Sequence, residues 1–434
     1  MSPVTIGIIG IGVLLVMFLL RMPIAFAMAL VGLAGFAYLT TPEAALSLLA
    51  RDIFDYFSSH PLSVIPMFIL MGSFAFAAGI SKRLYATTYT WVGQLRGGLT
   101  MATVLACAGF AAICGSTAAT AATMGKIALP EMKKYNYDDT LATGTVAAAG
   151  TLGILIPPST VLIVYGILTE ESIGKLFVAG ILPGILLSLF FVLTVALICL
   201  RNPALGPPGA PTRWREKLGA LTGLIETIIL FLLVIGGLFL GWFSPTQAGA
   251  IGAGGALVIG LARRELSWRT FFEATKDGLR TACMVIFIIT GAVIFGHFMA
   301  VSRIPFMLAD WVGGLPLPPM GIIGVIVIIF FIGGFFMDSM ALIVLLIPIL
   351  FPVLIGLGVD LIWFGVIVVL VAEMGVITPP VGVNVFVIKG IAPDIPIETI
   401  FKGIFPFLGA LIICTIILIA FPQIATFLPS FARY

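Results

Sequence analysis

Residues 153–158 of the chain are Gly-Ile-Leu-Ile-Pro-Pro, and residues 375–380 are Gly-Val-Ile-Thr-Pro-Pro, so residue 153 pairs with residue 375 at an offset of 222. Each motif interrupts a long apolar stretch. The same offset aligns further prolines, and an offset of 223 aligns a Gly and a Pro: Pro23 with Pro245, Pro130 with Pro352, Gly180 with Gly403, and Pro183 with Pro406. Matches in chain order at nearly one offset indicate a duplication. We therefore predict that the chain consists of two repeats related by this offset.

The composition excludes a water-soluble globular protein. Of 434 residues, 61% are apolar and 9% are charged, whereas about 25% are charged in soluble domains. A crossing needs about 20 apolar residues, which leaves material for roughly a dozen membrane segments. The net charge of +3 is too small to indicate a nucleic-acid surface. We predict an all-α polytopic membrane protein that lies in the lipid bilayer and binds no nucleic acid.

Apolar segments indicate ten crossings and two re-entrant hairpins. The hairpins are predicted at 98–130 and 320–356, which are too long for one crossing and carry Gly, Ser, Thr, Pro or Asp near the middle. The crossings are predicted near residues 4–20, 24–40, 62–79, 138–165, 173–200, 223–241, 245–262, 281–300, 360–385 and 400–421.

Basic residues orient these segments in the membrane. Lys and Arg concentrate after Leu200 and after Leu261, so both loops are predicted to be cytoplasmic by the positive-inside rule. Both chain ends are then outside, and the matched spans 138–165 and 360–385 run in opposite directions. An inverted repeat is typical of secondary transporters with alternating access.

The inverted repeat predicts an elevator-type division of the chain. Two amphipathic stretches, 80–96 and 264–280, are expected to be interface helices that connect spans or brace a moving domain. The predicted parts are scaffold helices of repeat 1 at 1–97, the first half of a transport domain with the inner hairpin at 98–200, a cytoplasmic loop at 201–222, scaffold helices and an amphipathic arm of repeat 2 at 223–319, and the second half of the transport domain with the outer hairpin at 320–434.

The Gly-x-x-x-Pro-Pro motifs predict ion sites. Proline removes a backbone donor, so carbonyl groups one turn earlier lose their helical partners. Within a membrane such a break persists only where it is buried in protein or lines a cavity. Freed carbonyl oxygens can replace the hydration shell of Na⁺. The alternative is a packing kink without bound ion.

Polar residues lie at the centres of both hairpins. The offset of 222 pairs Ser116 with Asp338 and Thr117 with Ser339. Small hydroxyl residues at a helix start can contact an anion, helped by the helix dipole, but Ser and Thr also satisfy membrane helices locally. Matched breaks and hairpin centres are the sequence's best indication of a binding site.

Two acidic residues and one amide lie within apolar segments. An intramembrane carboxylate is a candidate functional group by default, and Asp338 and Glu373 are both such groups. Each is a proton site, a cation ligand or a structural cap. Asn384, four residues after Pro380, is a candidate substrate or ion contact.

Enzyme classes lack their motifs in this sequence. The chain has two His residues, no His-Glu-x-x-His zinc motif and no Gly-x-Ser-x-Gly elbow, and Gly125-Lys126 lacks the upstream Gly of a phosphate loop. The five Cys residues lie in apolar stretches without metal-ligand spacing. We predict that the protein is not an enzyme. A channel is disfavoured because duplicated hairpins that face opposite sides suit alternating access better than a continuous pore.

Four motifs resemble those of a known family. They are Cys114-Gly-Ser-Thr-Ala-Ala-Thr120, Gly150-Thr-Leu-Gly-Ile-Leu-Ile-Pro-Pro-Ser159, Phe336-Met-Asp-Ser339, and Glu373-Met-Gly-Val-Ile-Thr-Pro-Pro-Val-Gly-Val-Asn384. Together they resemble the large membrane subunit of TRAP transporters, the DctM family, over essentially the whole chain. The resemblance implies a Na⁺-driven elevator transporter of the bacterial inner membrane that imports an organic acid, such as a C4-dicarboxylate, sialic acid or another carboxylate.

The resemblance also implies partners and site residues. The partners are a DctQ-like small membrane subunit, expected on a separate chain because no four-helix extension precedes Met1, and a DctP-like periplasmic substrate-binding protein. One Na⁺ site would involve Ser116, Gly153, Ile156 and Pro158, and the other Gly334, Gly375, Thr378 and Val381. Thr117, Ser159 and Asp338 would contact substrate, to which the residues themselves add Asn384.

Two alternative functions are open at this point. One is a stand-alone Na⁺- or H⁺-coupled carboxylate symporter that needs no binding protein. The other is a structural membrane scaffold, which is disfavoured because a scaffold has no need for symmetric helix breaks.

Overall fold

A computed structural model describes residues 2–20 and 22–432, so the predicted positions of the chain ends, Met1 and Tyr434, lie outside the described residues. All regular elements within that range are helices. In chain order they are α1 (Pro3–Leu19), α2 (Ile24–Leu39), α3 (Pro42–Phe57), α4 (Val64–Ala77), α5 (Ile80–Val92), α6 (Gly98–Cys114), α7 (Thr117–Lys134), α8 (Asp139–Gly150), α9 (Leu152–Leu155), α10 (Thr160–Thr169), α11 (Ile173–Arg201), α12 (Trp214–Ala220), α13 (Ile225–Phe231), α14 (Gly237–Phe239), α15 (Pro245–Ala262), α16 (Trp268–Ser302), α17 (Ile304–Gly313), α18 (Pro319–Gly334), α19 (Ser339–Gly356), α20 (Leu361–Ile377), α21 (Val383–Ile391), α22 (Ile397–Ala420) and α23 (Gln423–Thr426). A π-helical turn, Leu232–Gly236, joins α13 to α14, and short 3₁₀ turns lie at Pro61–Ser63, Pro203–Leu205, Leu221–Leu224 and Leu428–Phe431.

Helix bounds recur at the offset that relates the two Gly-x-x-x-Pro-Pro motifs. The bounds of α7, Thr117–Lys134, moved along the chain by this offset are those of α19, Ser339–Gly356. α8 and α20 likewise begin at matched positions, Asp139 and Leu361. The order of helices therefore repeats along the chain, whereas the opposite membrane orientation of the two repeats stays a prediction.

Matched N-caps explain why these helices begin at matched positions. The side chains of Ser116 and Asp338 accept a backbone hydrogen bond at the starts of α7 and α19. Asp138 and Asp360, which are paired by the same offset, cap α8 and α20 in the same way. Because an oxygen-bearing cap satisfies a backbone N–H that has no helical partner, short polar signals define these boundaries within apolar sequence.

Each of the two predicted hairpins, 98–130 and 320–356, folds as two helices joined by a short turn. α6 and α7 meet at Gly115, whose φ of 66° favours glycine. α18 and α19 meet at residues 335–338. We call residues 114–117 the first tip and residues 334–339 the second tip.

The two Gly-x-x-x-Pro-Pro motifs break helices at matched positions. α9 ends at Leu155 before α10 begins at Thr160, and α20 ends at Ile377 before α21 begins at Val383. The first break bends the helix direction by 41°. The Pro157–Pro158 and Pro379–Pro380 peptide bonds are both cis.

Six helices in the described ranges are long and apolar enough to cross a membrane, or up to eight if each of two bent helix pairs is one span. The ten predicted crossings stay a prediction. The separation of 264–280 from 281–300 is wrong, because one continuous helix, α16, runs from Trp268 to Ser302. No proline interrupts this region, so the amphipathic stretch continues directly into the apolar one.

Two sets of helices pack closely within the described ranges. α4 packs against α15 and α16, and α2 packs against α16. In the second set, α8 packs against α7 and α22, and α18 packs against α20.

An ion pair links the end of α7 to the segment before α22. Lys133 lies 2.6 Å from Asp394, and the hydrogen bond from Lys133 lowers the pKa of Asp394 below its ordinary value.

Candidate functional site

A cavity of about 610 Å³ lies where both tips, both helix breaks, α4 and α16 meet. A cavity of this size accommodates a small molecule. It is the place at which elements of both repeats converge. Its polar and charged lining residues are Ser73, Ser116, Thr117, Thr123, Lys126, Thr160, Thr281, Asp338, Ser339, Glu373 and Asn384.

Three of the four predicted substrate contacts line this cavity. They are Thr117, Asp338 and Asn384. The fourth, Ser159, is fully buried, and its hydroxyl accepts a hydrogen bond from the Leu162 N–H at 3.2 Å as the cap of α10. The cavity-lining residue at this position is the next one, Thr160. The role of Ser159 as a substrate contact stays a prediction.

Glu373 joins the two tips. One carboxylate oxygen accepts a hydrogen bond of 2.8 Å from the Thr117 hydroxyl, and the other accepts one of 2.5 Å from the Ser339 hydroxyl. Thr117 and Ser339 are matched positions of the two repeats, so one carboxylate bonds the same site in both. The residue matched to Glu373 is Thr151, whose hydroxyl donates to the Ala148 carbonyl instead. The first repeat therefore has no acidic counterpart of Glu373 at the matched position.

The burial of Glu373 explains this arrangement. Its side chain is 1% exposed, and an ionised carboxylate without hydrogen bonds would be costly at such a site. Hydrogen bonds to charged groups contribute about 1.5–3 kcal/mol each, and both tips supply one. In the sequence, Glu373 is only one of two acidic residues within apolar segments. Its place between the tips depends on its contact with Thr117, which is 256 positions away in the chain. The hydrophobic periodicity of a sequence gives no information about contacts between such distant residues.

Asn384, which lines the cavity, carries a buried amide with one partnered end. Its Nδ2 donates to the Ala147 carbonyl at 3.0 Å, and because a carbonyl only accepts, the amide orientation is determined. Oδ1 is then a buried acceptor without a partner among the described residues. A buried acceptor of this kind can accept a hydrogen bond from a bound water or from a ligand.

The first predicted ion site is assembled around Gly153. A Cβ atom at Gly153 would lie 2.6 Å from the Ser116 carbonyl oxygen and 2.7 Å from the Thr120 hydroxyl. The Thr120 hydroxyl is buried and has no hydrogen-bond partner in the described part of the chain. Because Pro157 and Pro158 lack N–H groups, the carbonyls four residues earlier lack their usual helical donors.

The remaining predicted ligands of this first site, Pro158 and Ile156, have different surroundings. The Pro158 carbonyl lies against the first tip, where a Cβ atom at Gly115 would be 2.7 Å from its oxygen. The Ile156 N–H donates to the Leu152 carbonyl at 3.1 Å. Neutral oxygen dipoles and an unpartnered hydroxyl form a donor set that fits Na⁺.

The second predicted ion site is built on a close approach of two helices. A Cβ atom at Gly334 would lie 2.9 Å from the Gly375 Cα and 3.0 Å from the Ala372 carbonyl oxygen. Thr378 donates its hydroxyl to the Met374 carbonyl at 2.5 Å and its N–H to the Gly375 carbonyl at 2.9 Å. Gly334 and Gly375 are thus in contact, while Thr378 is engaged within its own helix end. Val381 lies half-buried between α20 and α21.

Comparisons with known proteins assign the chain's relationships. A family model described as "Tripartite ATP-independent periplasmic transporter, DctM component" matches residues 11–424. The chain is 36% identical to the C4-dicarboxylate TRAP transporter large permease protein DctM of Pseudomonas aeruginosa, covering 90% of this chain and 91% of that one. It is also 36% identical to the isethionate TRAP transporter permease protein DctMQ of Oleidesulfovibrio alaskensis, covering 91% of this chain and 62% of that longer protein.

A solved structure shares the fold. The YdaH transporter of Alcanivorax borkumensis superposes with a TM-score of 0.67 at 16% identity, covering 91% of each chain. At this identity the likeness concerns the fold alone.

Proposed function

Because the chain belongs to the DctM family of tripartite ATP-independent periplasmic transporters, we propose that it imports a small organic acid together with Na⁺. Family membership makes it the large permease of a tripartite system, a multi-pass protein of the bacterial inner membrane and not an enzyme. Those predictions are confirmed. The coupling ion, the acid and the site residues belong to the proposal.

The cavity between the two tips is the observation that carries the proposal. Each repeat contributes its tip and its helix break to the wall, and α4 and α16 complete it. Substrate bound here would contact Thr117, Asp338 and Asn384. Lys126 and Thr281 also line the cavity, and both belong to segments that the positive-inside rule predicts to be near the cytoplasm. We take this as support for an inward-facing state.

Na⁺ would bind beside the cavity, at the helix breaks. Ser116, Gly153 and Thr120 supply the first group of oxygens, and the contact between Gly334 and Gly375 places the second break against the second tip. One charge that moves inward across 100 mV yields about 2.3 kcal/mol. Two ions would yield roughly 4.6 kcal/mol on that same basis, less the cost of moving an anionic substrate in the same direction.

Two partner proteins complete the proposed system. The relative named DctMQ is longer than this chain, which covers 62% of it, and we propose that a DctQ-like small subunit acts beside this chain. A DctP-like periplasmic protein would deliver the acid. Both would contribute to uptake, while the substrate cavity belongs to the large permease.

Uptake by proteoliposomes that contain this chain, the small subunit and loaded binding protein tests the proposal. The membrane potential is clamped with K⁺ and valinomycin while external Na⁺ is replaced by choline. We expect uptake to stop without Na⁺. Uptake that persists at equal potential would contradict Na⁺ coupling, and uptake that persists without the binding protein would favour the stand-alone symporter.

A further inference from the structure

We propose that the transported acid bears hydrogen-bond donors, as hydroxyl or ammonium groups, in addition to its acidic group. This inference rests on the proposed function and concerns the same cavity. It follows from the direction of the hydrogen bonds around the cavity rather than from the kinds of residue that line it.

Of the seven hydroxyl groups on the cavity wall, five already donate their protons to the protein, whereas Ser116 and Thr123 donate to no acceptor among the described residues. A carbonyl or carboxylate oxygen can only accept, so each bond to one leaves the hydroxyl with lone pairs alone for a ligand. Five lining hydroxyls are bonded in this way: Thr117 and Ser339 to Glu373, Thr160 to the Gly115 carbonyl, Ser73 to the Ile69 carbonyl, and Thr281 to the Asp277 carbonyl.

The other polar side chains extend this acceptor surface. Asn384 lines the cavity and is fully buried, and its Oδ1 has no partner among the described residues because the amide nitrogen donates to Ala147. Asp338 uses one carboxylate oxygen to cap α19, accepting from the Ala341 N–H at 2.9 Å, and contributes a carboxylate to the lining. A ligand that offers only acceptors would leave these oxygens unpaired and would be repelled by Asp338.

Donors for an acidic group lie elsewhere on the wall. Lys126 is the one cationic side chain among the described residues that line the cavity. It lies nine residues after Thr117 in α7, about 13 Å along the helix axis at 1.5 Å per residue. The start of α7 adds N–H groups, since Ala119 and Thr120 donate to Ser116 but the first two residues have no helical partner. The acidic group therefore has donors at Lys126, at the start of α7 and at the Ser116 and Thr123 hydroxyls, whereas the rest of the molecule meets mainly acceptors.

Buried acceptors discriminate strongly against an analogue that lacks the matching donor, because the lost bond leaves a desolvated group unpaired. A donor-free dicarboxylate therefore fits poorly. A hydroxy acid, an amino acid or a zwitterion satisfies both parts of the wall.

Binding of matched acids to the purified permease with its small subunit tests this inference without the selectivity of the binding protein. Thermal unfolding in detergent with Na⁺ reports binding, since a ligand raises the midpoint by mass action. The panel is succinate with malate and aspartate, ethanesulfonate with isethionate and taurine, hexanoate with gluconate, and N-acetylneuraminate. We expect a donor-bearing acid to bind at least about tenfold more tightly than its donor-free partner.

Two variants locate the discrimination in the cavity. Asn384→Leu removes the unpartnered acceptor, and Thr281→Val removes the hydroxyl of an exposed residue of α16. Each should reduce the preference for donor-bearing acids several-fold. Ser188→Ala, a buried hydroxyl in α11 that bonds the Gly184 carbonyl at 2.7 Å, is the matched control and should leave the preference unchanged.

Equal binding within every pair, or no binding by any acid of the panel, would overturn the inference. Loss of Na⁺-driven uptake in proteoliposomes is a separate result that concerns the proposed function. A transporter driven by Na⁺ that prefers succinate to malate and aspartate would contradict the inference alone.

Discussion

Replacement of Glu373 by Gln should weaken the contact between the two tips. Glu373 accepts hydrogen bonds from Thr117 and Ser339 at 2.8 and 2.5 Å, and each bond is worth about 1.5–3 kcal/mol when the carboxyl group is ionised. Gln keeps one carbonyl oxygen, which retains one neutral bond of about 0.5–1.5 kcal/mol. Its NH₂ group donates to the second hydroxyl, which rotates to accept, so this bond also becomes a neutral one of about 0.5–1.5 kcal/mol. The free energy that holds the tips together should fall by at least about 2 kcal/mol, which corresponds to roughly 30-fold in the population of separated tips.

Hydrogen–deuterium exchange with mass spectrometry measures this change. Peptides that cover 105–122 and 330–346 should exchange about 30-fold faster in Glu373→Gln if tip separation controls their opening. Glu171→Gln, a substitution in the short loop between α10 and α11, is the control. Unchanged exchange at both tips in a Glu373→Gln protein that is folded and unfolds at the wild-type temperature would refute the reasoning.

Three further predictions concern the packing, the cavity and the ion site. Gly375→Ala places a Cβ atom on the Gly334 backbone and should destabilise the protein by about 1–3 kcal/mol, measured by thermal unfolding. The control Gly409→Ala, whose added Cβ meets no neighbouring helix within 4 Å, should not destabilise the protein. Equal destabilisation by both variants would count against the close contact of Gly375 and Gly334. Asp338→Asn keeps an N-cap for α19, so the protein should assemble but lose uptake in proteoliposomes, and normal uptake would remove Asp338 from the site. Thr120→Val removes the unpartnered hydroxyl of the first ion site and should raise the Na⁺ concentration for half-maximal uptake at least about tenfold without loss of stability; an unchanged Na⁺ dependence would exclude Thr120 as a ligand.

The helical architecture was accessible from local sequence because its signals are local. A capping side chain satisfies the N–H groups a few residues ahead of it, so Ser116, Asp138, Asp338 and Asp360 determine helix starts without reference to distant residues. Proline removes a donor from its own backbone, so the two breaks also follow from sequence. The continuous helix α16 was not predicted, because the composition changes from amphipathic to apolar along it while the helix continues.

The sequence by itself determined the class of the protein: a low charge content requires a membrane, and motifs repeated in the same order at one offset require two similar halves. Only the tertiary structure decided the chemistry of the cavity. Whether a hydroxyl donates or accepts depends on which oxygen faces it, and Glu373 and Ala147 reach their partners Thr117 and Asn384 across most of the chain. Burial then makes the loss of either bond costly, because a buried polar group without a hydrogen-bond partner is unfavourable.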